Sequence, residues 1–222
     1  VMDPAEKFKL NIGSRDLIVE IRNLAEQANG SCLVQYGDTV VLATAVMSNQ
    51  EREGIDFFPL TVEYEERFYA AWKILGSRFI RRESRPSDEA ILSARAIDRT
   101  IRPRFPKNFC KEVQVVITCL SWDSQNDPDI VGYLAASLAL SISDITWSGP
   151  IAPLRVAKIN EQFILNPVYE ERLESKVDLV LVAAAEENTI NMIEMEGDEV
   201  DEKVILEAYN FAKPHLKKLI DF

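Results

Sequence analysis

The first sixty residues constrain the fold most, because they are short period-two runs set apart by tight-turn dipeptides. Residues 8–12 and 17–21 alternate, Asn29-Gly30 turns the chain into residues 31–36, and Gly37-Asp38 turns it again into the β-branched run 39–46. Alternation at period two places one side of each run against a core, and both dipeptides carry hairpin chemistry. Residues 58–62 follow a charged loop as a further strand. Ser87 then reads as a helix N-cap, with Asp88 and Glu89 in the first turn, residues 90–101 helical and Pro103 as the stop. Residues 113–120 read as a buried strand. Asp127-Pro128-Asp129 caps an apolar helix over 130–142, whose Ala135, Ala136, Ser137, Ala139 and Ser141 suit close packing against a sheet. After Gly149-Pro150 come strands near 154–159, 162–165, 177–183 and 189–195. A last helix spans 199–220, with Val204, Ile205, Ala208, Phe211 and Leu216 at i, i+3/i+4 spacing. Strands and helices in this mixed order predict a two-layer α+β domain, a mixed sheet packed against helices. With no repeat and no low-complexity linker, residues 1–222 read as one domain.

Charge is distributed unevenly. The chain carries −11 overall, yet residues 78–107 hold nine Lys/Arg against four Asp/Glu. A positive island in an acidic protein costs self-repulsion and predicts a polyanion bound there. Arginine dominates it, which favours bidentate recognition of phosphate or carboxylate. On the helix, Arg95, Arg99 and Arg102 fall at i, i+4, i+7 and share a face. Beside Asp88, Glu89 and Asp98, such arginines also suit internal ion pairs.

Several function classes are excluded. The one histidine, His215, leaves no second imidazole for a His-based zinc site, and it reads as a cation favoured by the C-terminal helix dipole. The eight glycines never fall three apart, so there is no GxGxxG loop, no Walker loop and no GxxG. Cys32, Cys110 and Cys119 are odd in number without CxxC spacing, and read as reduced, buried thiols. No apolar run approaches the ~20 residues of a bilayer helix, and no basic stretch leads into an apolar one near the N-terminus. A cytoplasmic protein without membrane contact is expected.

Several ordered motifs resemble the first ribonuclease-PH-like core of the bacterial polynucleotide phosphorylase family. They are LAEQANGSCLVQYGDTVVLATAV (24–46), IDFFPLTVEYEERFYAA (55–71), FIRRESRPSDEAILSARAIDRTIRPRFP (79–106), NDPDIVGYLAASLALSISDI (126–145), GPIAPLRV (149–156) and LNPVYEE (165–171). The resemblance covers nearly the whole chain. It implies a ribonuclease-PH-like α+β fold, three subunits closing a ring around a pore, and a fragment of a longer multidomain enzyme. The family reaction is 3′-to-5′ phosphorolysis of RNA, in which inorganic phosphate releases nucleoside diphosphates with magnesium assisting. Two anions meet in that reaction, so fixed positive charge and a metal matter more than a nucleophilic side chain.

The resemblance also implies that the first core is a degenerate copy, with no catalytic and no metal residue of its own. Asp127-Pro128-Asp129 stands where the active core has a Ser-rich phosphate cradle, and two carboxylates repel phosphate. Asn166 and Asp178 stand where that core has two metal-binding aspartates. Asp178 alone offers little to a hard cation, and reads rather as a strand-edge charge or an arginine's partner. Magnesium is therefore expected in the parent enzyme and not in this domain. The loop Phe79-Ile80-Arg81-Arg82 corresponds to the family's pore constriction, where an aromatic stacks on a base and arginines meet phosphates. RNA contact is expected at Phe79, Arg81, Arg82 and Arg85, with single-stranded RNA as partner and phosphate or nucleoside diphosphates as the parent's small ligands.

Departures from the family pattern accompany the loop. Trp72 and Leu75 replace a glycine and a proline, Ser84 a glycine, Thr100 a proline and Arg104 an apolar residue. A glycine at 72 suits a tight turn, so a loop of altered shape is expected. The acidic run Glu194, Glu196, Asp198, Glu199, Asp201 and Glu202 reads as a dipole complement opening the last helix. Two other functions fit the same residues: a stand-alone ribonuclease-PH-type exoribonuclease, and a purely structural RNA-binding ring module.

Overall fold

A computed structural model describes residues 5–51, 54–74, 76–78, 83, 85–185 and 189–222. Six strands form the first sheet: β1 (Glu6–Ile12), β2 (Arg15–Ile21), β3 (Gly30–Tyr36), β4 (Thr39–Glu51), β5 (Leu60–Glu66) and β6 (Lys111–Ser121). Their order is β1-β2-β3-β4-β6-β5. Every pair is antiparallel except β5 with β6. That parallel pair requires a crossover, and α1 (Asp88–Ile101) lies within it, packed on β5. The helix begins where its capping chemistry predicts: the Ser87 hydroxyl accepts from the Ala90 N–H at 3.0 Å.

Four strands form the second sheet: β7 (Ile151–Ile159), β8 (Gln162–Leu165), β9 (Val177–Ala184) and β10 (Ile190–Gly197), in the order β10-β9-β7-β8. Between the sheets runs α2 (Pro128–Ser141), which touches β3, β4 and β6 on one side and β7 on the other. Its sequence explains the position, since 130–140 carries no charge and small residues let both sheets approach. β7 and β9 are buried along both faces. The far face is covered by α4 (Glu202–Asp221) through Ala208, Ala212, Leu216 and Leu219. The expected α+β class and the helix-on-sheet layer are both present, and the layer occurs twice because the strands divide between two sheets.

Three local expectations need correction. Asn29-Gly30 is not a two-residue hairpin turn: β2 ends at Ile21, and eight residues (22–29) lead into β3. Gly30 serves close packing instead, because a Cβ there would lie 2.2 Å from the Ala139 carbonyl oxygen on α2. Asn29 fastens the connection, accepting from Met47 N–H at 2.8 Å and donating to Asp144 at 2.8 Å. The strand expected over 58–62 starts at Leu60, because Phe58 packs with Phe105 and Phe109 and Pro59 has no N–H to offer a ladder. A five-residue helix, α3 (Tyr169–Leu173), is too short for any periodicity to announce it. Gly37-Asp38 does turn β3 into β4, with Gly37 at φ +61°. No helix among the described residues is long and apolar enough to cross a membrane.

Candidate nucleic-acid interface

The arginine-rich segment belongs to a loop, residues 67–87, closed at its stem. β5 delivers Glu65, Glu66 and Arg67, and a 3-10 turn follows at Phe68–Ala71. Glu83 returns to that turn: its carboxylate accepts from the Phe68 N–H at 2.9 Å and faces the Arg67 guanidinium at 3.5 Å. Arg67 also pairs with Glu65. Ser87 donates to Glu66 at 2.8 Å while capping α1. The turn is pinned to the first sheet by the Trp122 N–H donating to the Ala70 carbonyl at 3.0 Å. Five Lys/Arg and one glutamate lie between these ties, and the glutamate is spent on the stem.

Of the expected contact residues, Arg85 is exposed and makes no hydrogen bond or ion pair among the described residues. Phe79, Arg81 and Arg82 lie outside the described residues. Around them the loop exposes Phe68, Tyr69, Trp72 and Ile74. Trp72 has φ 56° and ψ 30°, the left-handed turn its sequence position called for. A residue with a Cβ holds that turn at a cost of about 1–2 kcal/mol; the loop 79–82, whose shape was expected to differ, lies outside the described residues. Leu75 and Ser84, the neighbouring departures, lie outside the described residues.

The helix arginines are engaged internally. Arg102 reaches Asp98 at 2.6 and 2.5 Å and also donates to the Phe58 and Leu60 carbonyls, so hydrogen bonding to Asp98 holds its pKa above the usual arginine value. Arg99 meets Glu194 of β10 at 3.1 Å. Arg104 is buried and donates to the Ser148 carbonyl. Arg95 remains exposed on α1.

At the N-terminus of α2, four charged side chains from four elements converge. Asp127 caps the helix, accepting from Asp129 N–H at 3.1 Å. Its other oxygen pairs with Arg155 of β7, and with Arg172 of α3 at 3.3 Å. Asp178 of β9 faces Arg155 at 2.9 Å and accepts from Arg172 at 3.0 Å. The Arg155 contacts are close ion pairs whose angles fall short of hydrogen bonds. Burial pushes the Arg155 pKa down, against the pull of Asp178. Asn166 accepts from the Arg155 backbone N–H at 3.0 Å, so it too serves the strand. Two carboxylates and two guanidiniums balance, and each carboxylate already has two cations. The donor set does not suit a divalent cation, which needs several free oxygens. Among the described residues no group of three or more His, Cys, Asp or Glu is placed to hold a metal.

Two family models match the chain, the 3′ exoribonuclease family domain 1 over residues 13–146 and domain 2 over residues 149–214. The chain belongs to the 3′ exoribonuclease family. Polyribonucleotide nucleotidyltransferase of Thermus thermophilus is 51% identical over 217 residues, covering 98% of this chain and 30% of that protein. The protein of the same name from Pseudothermotoga lettingae is 53% identical over 215 residues, again over 30% of its length. The matches fall on the N-terminal part of these relatives, so the chain spans about a third of their length. Among solved structures, rice (Oryza sativa) Rrp46 superposes with TM-score 0.71 at 14% identity, covering 100% of this chain and 94% of that one. An Archaeoglobus fulgidus exosome with RNA bound to the active site gives 0.70 at 19%, covering 99% and 87%. At these identities the likeness is one of fold.

Other residues of this 3′ exoribonuclease-family chain depart from expectation. His215 is not in the last turn of α4 but lies against the Phe211 ring at 5.5 Å, and Lys218 is the basic residue of that turn. The acidic run is split: Glu194 and Glu196 belong to β10, and only Asp201, as N-cap, and Glu202 open the helix. Cys32 and Cys119 are buried free thiols, pushed up by burial to about 12 and about 11, which makes them unreactive. Cys110 is only partly buried. Arg155 and Arg172 escaped the sequence reading. A lone arginine inside the apolar run of β7 was the available signal, because a charge there needs a buried partner.

Proposed function

We propose that this chain is one core domain of a longer polyribonucleotide nucleotidyltransferase, and that it grips single-stranded RNA without breaking it. The observation that carries this reading is the stem-closed loop 67–87, where five cations between the stem ties stand against one paired carboxylate on a chain of net charge −11. An aromatic-rich, cationic loop holds a polyanion through phosphate contacts and base stacking with little regard to sequence. Phe79, Arg81, Arg82 and Arg85 are the residues assigned to that contact. Phosphorolysis with phosphate and magnesium belongs to a sister core of the parent. The quartet Asp127, Arg155, Arg172 and Asp178 supports this division, since its charges satisfy one another and leave nothing to polarise a phosphate. Three copies of the parent closing a ring in the cytoplasm complete the reading, on the strength of the motif resemblance.

Two measurements test it. With about four phosphate contacts, log affinity for oligo(A) should fall against log salt with a slope near −3, at ~0.7 per phosphate. Arg81→Ala with Arg82→Ala should flatten that slope by roughly half; a slope unchanged by the pair removes the loop from the interface. Separately, the 222-residue chain given poly(A), phosphate and magnesium should release no nucleoside diphosphate. Phosphate-dependent release would assign the chemistry to this core after all.

A further inference from the structure

Trp72 is the most exposed large apolar side chain among the described residues, at 92%. Two observations make its presence costly. Its backbone is left-handed, a conformation glycine adopts without penalty. Its ring gains nothing from packing, although transfer from water is the usual reward for an indole. The turn does not need it: the bonds that close the turn, Trp72 N–H to Tyr69 and Lys73 N–H to Phe68, are backbone bonds that glycine would make equally. Neither turn formation nor the core accounts for a tryptophan here.

Its surroundings say what the ring meets. Lys73 and Arg85 are exposed on the same loop, whose one carboxylate, Glu83, is held by Phe68 and Arg67. A ring next to Lys73 in sequence, on a segment with surplus positive charge, is poorly matched to an apolar protein surface and well matched to an anion carrying flat bases. We propose that Trp72 is a base-stacking platform, holding a nucleobase of single-stranded RNA. The inference rests on the RNA-gripping reading above and adds a stacking contact to it.

The other tryptophans make the test direct. Trp122 donates its ring N–H to the Asn126 carbonyl and packs edge-on against Tyr169, and Trp147 lies against Phe105. Trp72 is the indole that solvent reaches freely. Oligo(A) added to the 222-residue chain should quench its fluorescence. Trp72→Gly should abolish the quench and weaken oligo(A) binding by about 5- to 150-fold. It should leave binding of inorganic polyphosphate, a polyanion without bases, and the salt slope unchanged, and raise the melting temperature by relieving the turn. Unchanged oligo(A) affinity in Trp72→Gly overturns the proposal, as does an equal loss for polyphosphate. Weaker self-association in sedimentation with oligo(A) affinity intact would assign the ring to a second copy of this chain and also overturn it. If Arg81→Ala with Arg82→Ala weakens oligo(A) binding while Trp72→Gly does not, the stacking platform falls and the RNA-gripping reading stands. If the unaltered chain binds no oligo(A), both fall.

Discussion

Arg155→Met should destabilise the fold by about 3–5 kcal/mol, measured as the shift in a urea unfolding curve at neutral pH. Arg155 is only 15% exposed at its side chain and stands between Asp127 and Asp178, at 10% and 17%. Without it the two carboxylates share Arg172 alone, so one negative charge stays buried without compensation. The large figure reflects the stranded partner rather than the worth of the pair, because buried ion pairs repay little beyond their own desolvation. Arg155→Lys should fall between, since an ammonium is a point charge and cannot serve two carboxylates as a guanidinium fork does. A loss below about 1 kcal/mol for Arg155→Met would mean that water reaches the quartet and screens it.

Gly30→Ala should lower the melting temperature by about 6–12 °C, from a cost near 3 kcal/mol at 2–4 °C per kcal/mol for a chain of this size. The new Cβ would lie 2.2 Å from the Ala139 carbonyl oxygen and 3.0 Å from the Ser143 Cβ. The first contact is backbone, so no side-chain rotation relieves it, and β3 must move away from α2. Gly76→Ala is the matched control, because its Cβ meets nothing within 4 Å. Equal melting temperatures for the two variants would show that the sheet and helix separate at little cost.

The features legible in the sequence are the local ones. Ser87 and Asp127 announced their helices because a cap is chemistry within three residues. β8 is legible to the residue, because it begins two residues beyond β7 and folds straight back on it, a local pairing. Pairing between distant segments was not legible. Nothing local divides ten strands into sheets of six and four, or sets β5 parallel beside β6. Gly30 misled because its reason, a carbonyl 109 residues further along the chain, has no trace beside it. The quartet failed likewise: Asp178 carried a correct alternative, a partner for an arginine, but which arginines depended on β7 and α3 meeting at the mouth of α2. The cationic loop was visible as composition. Its closure by Glu83 was not, because that bond joins a residue to the turn fifteen positions before it.

The two family-defined segments, 13–146 and 149–214, do not divide the molecule into independent bodies. α2 ends the first segment, yet its Ser137 hydroxyl accepts from the Ile151 N–H in the second, at 2.9 Å and out of reach of water. A break at the junction would leave the first segment with an oily rod open along one side and the second with an unroofed sheet. The halves are therefore interdependent in folding, and loosening in either is transmitted to the other through that buried rod.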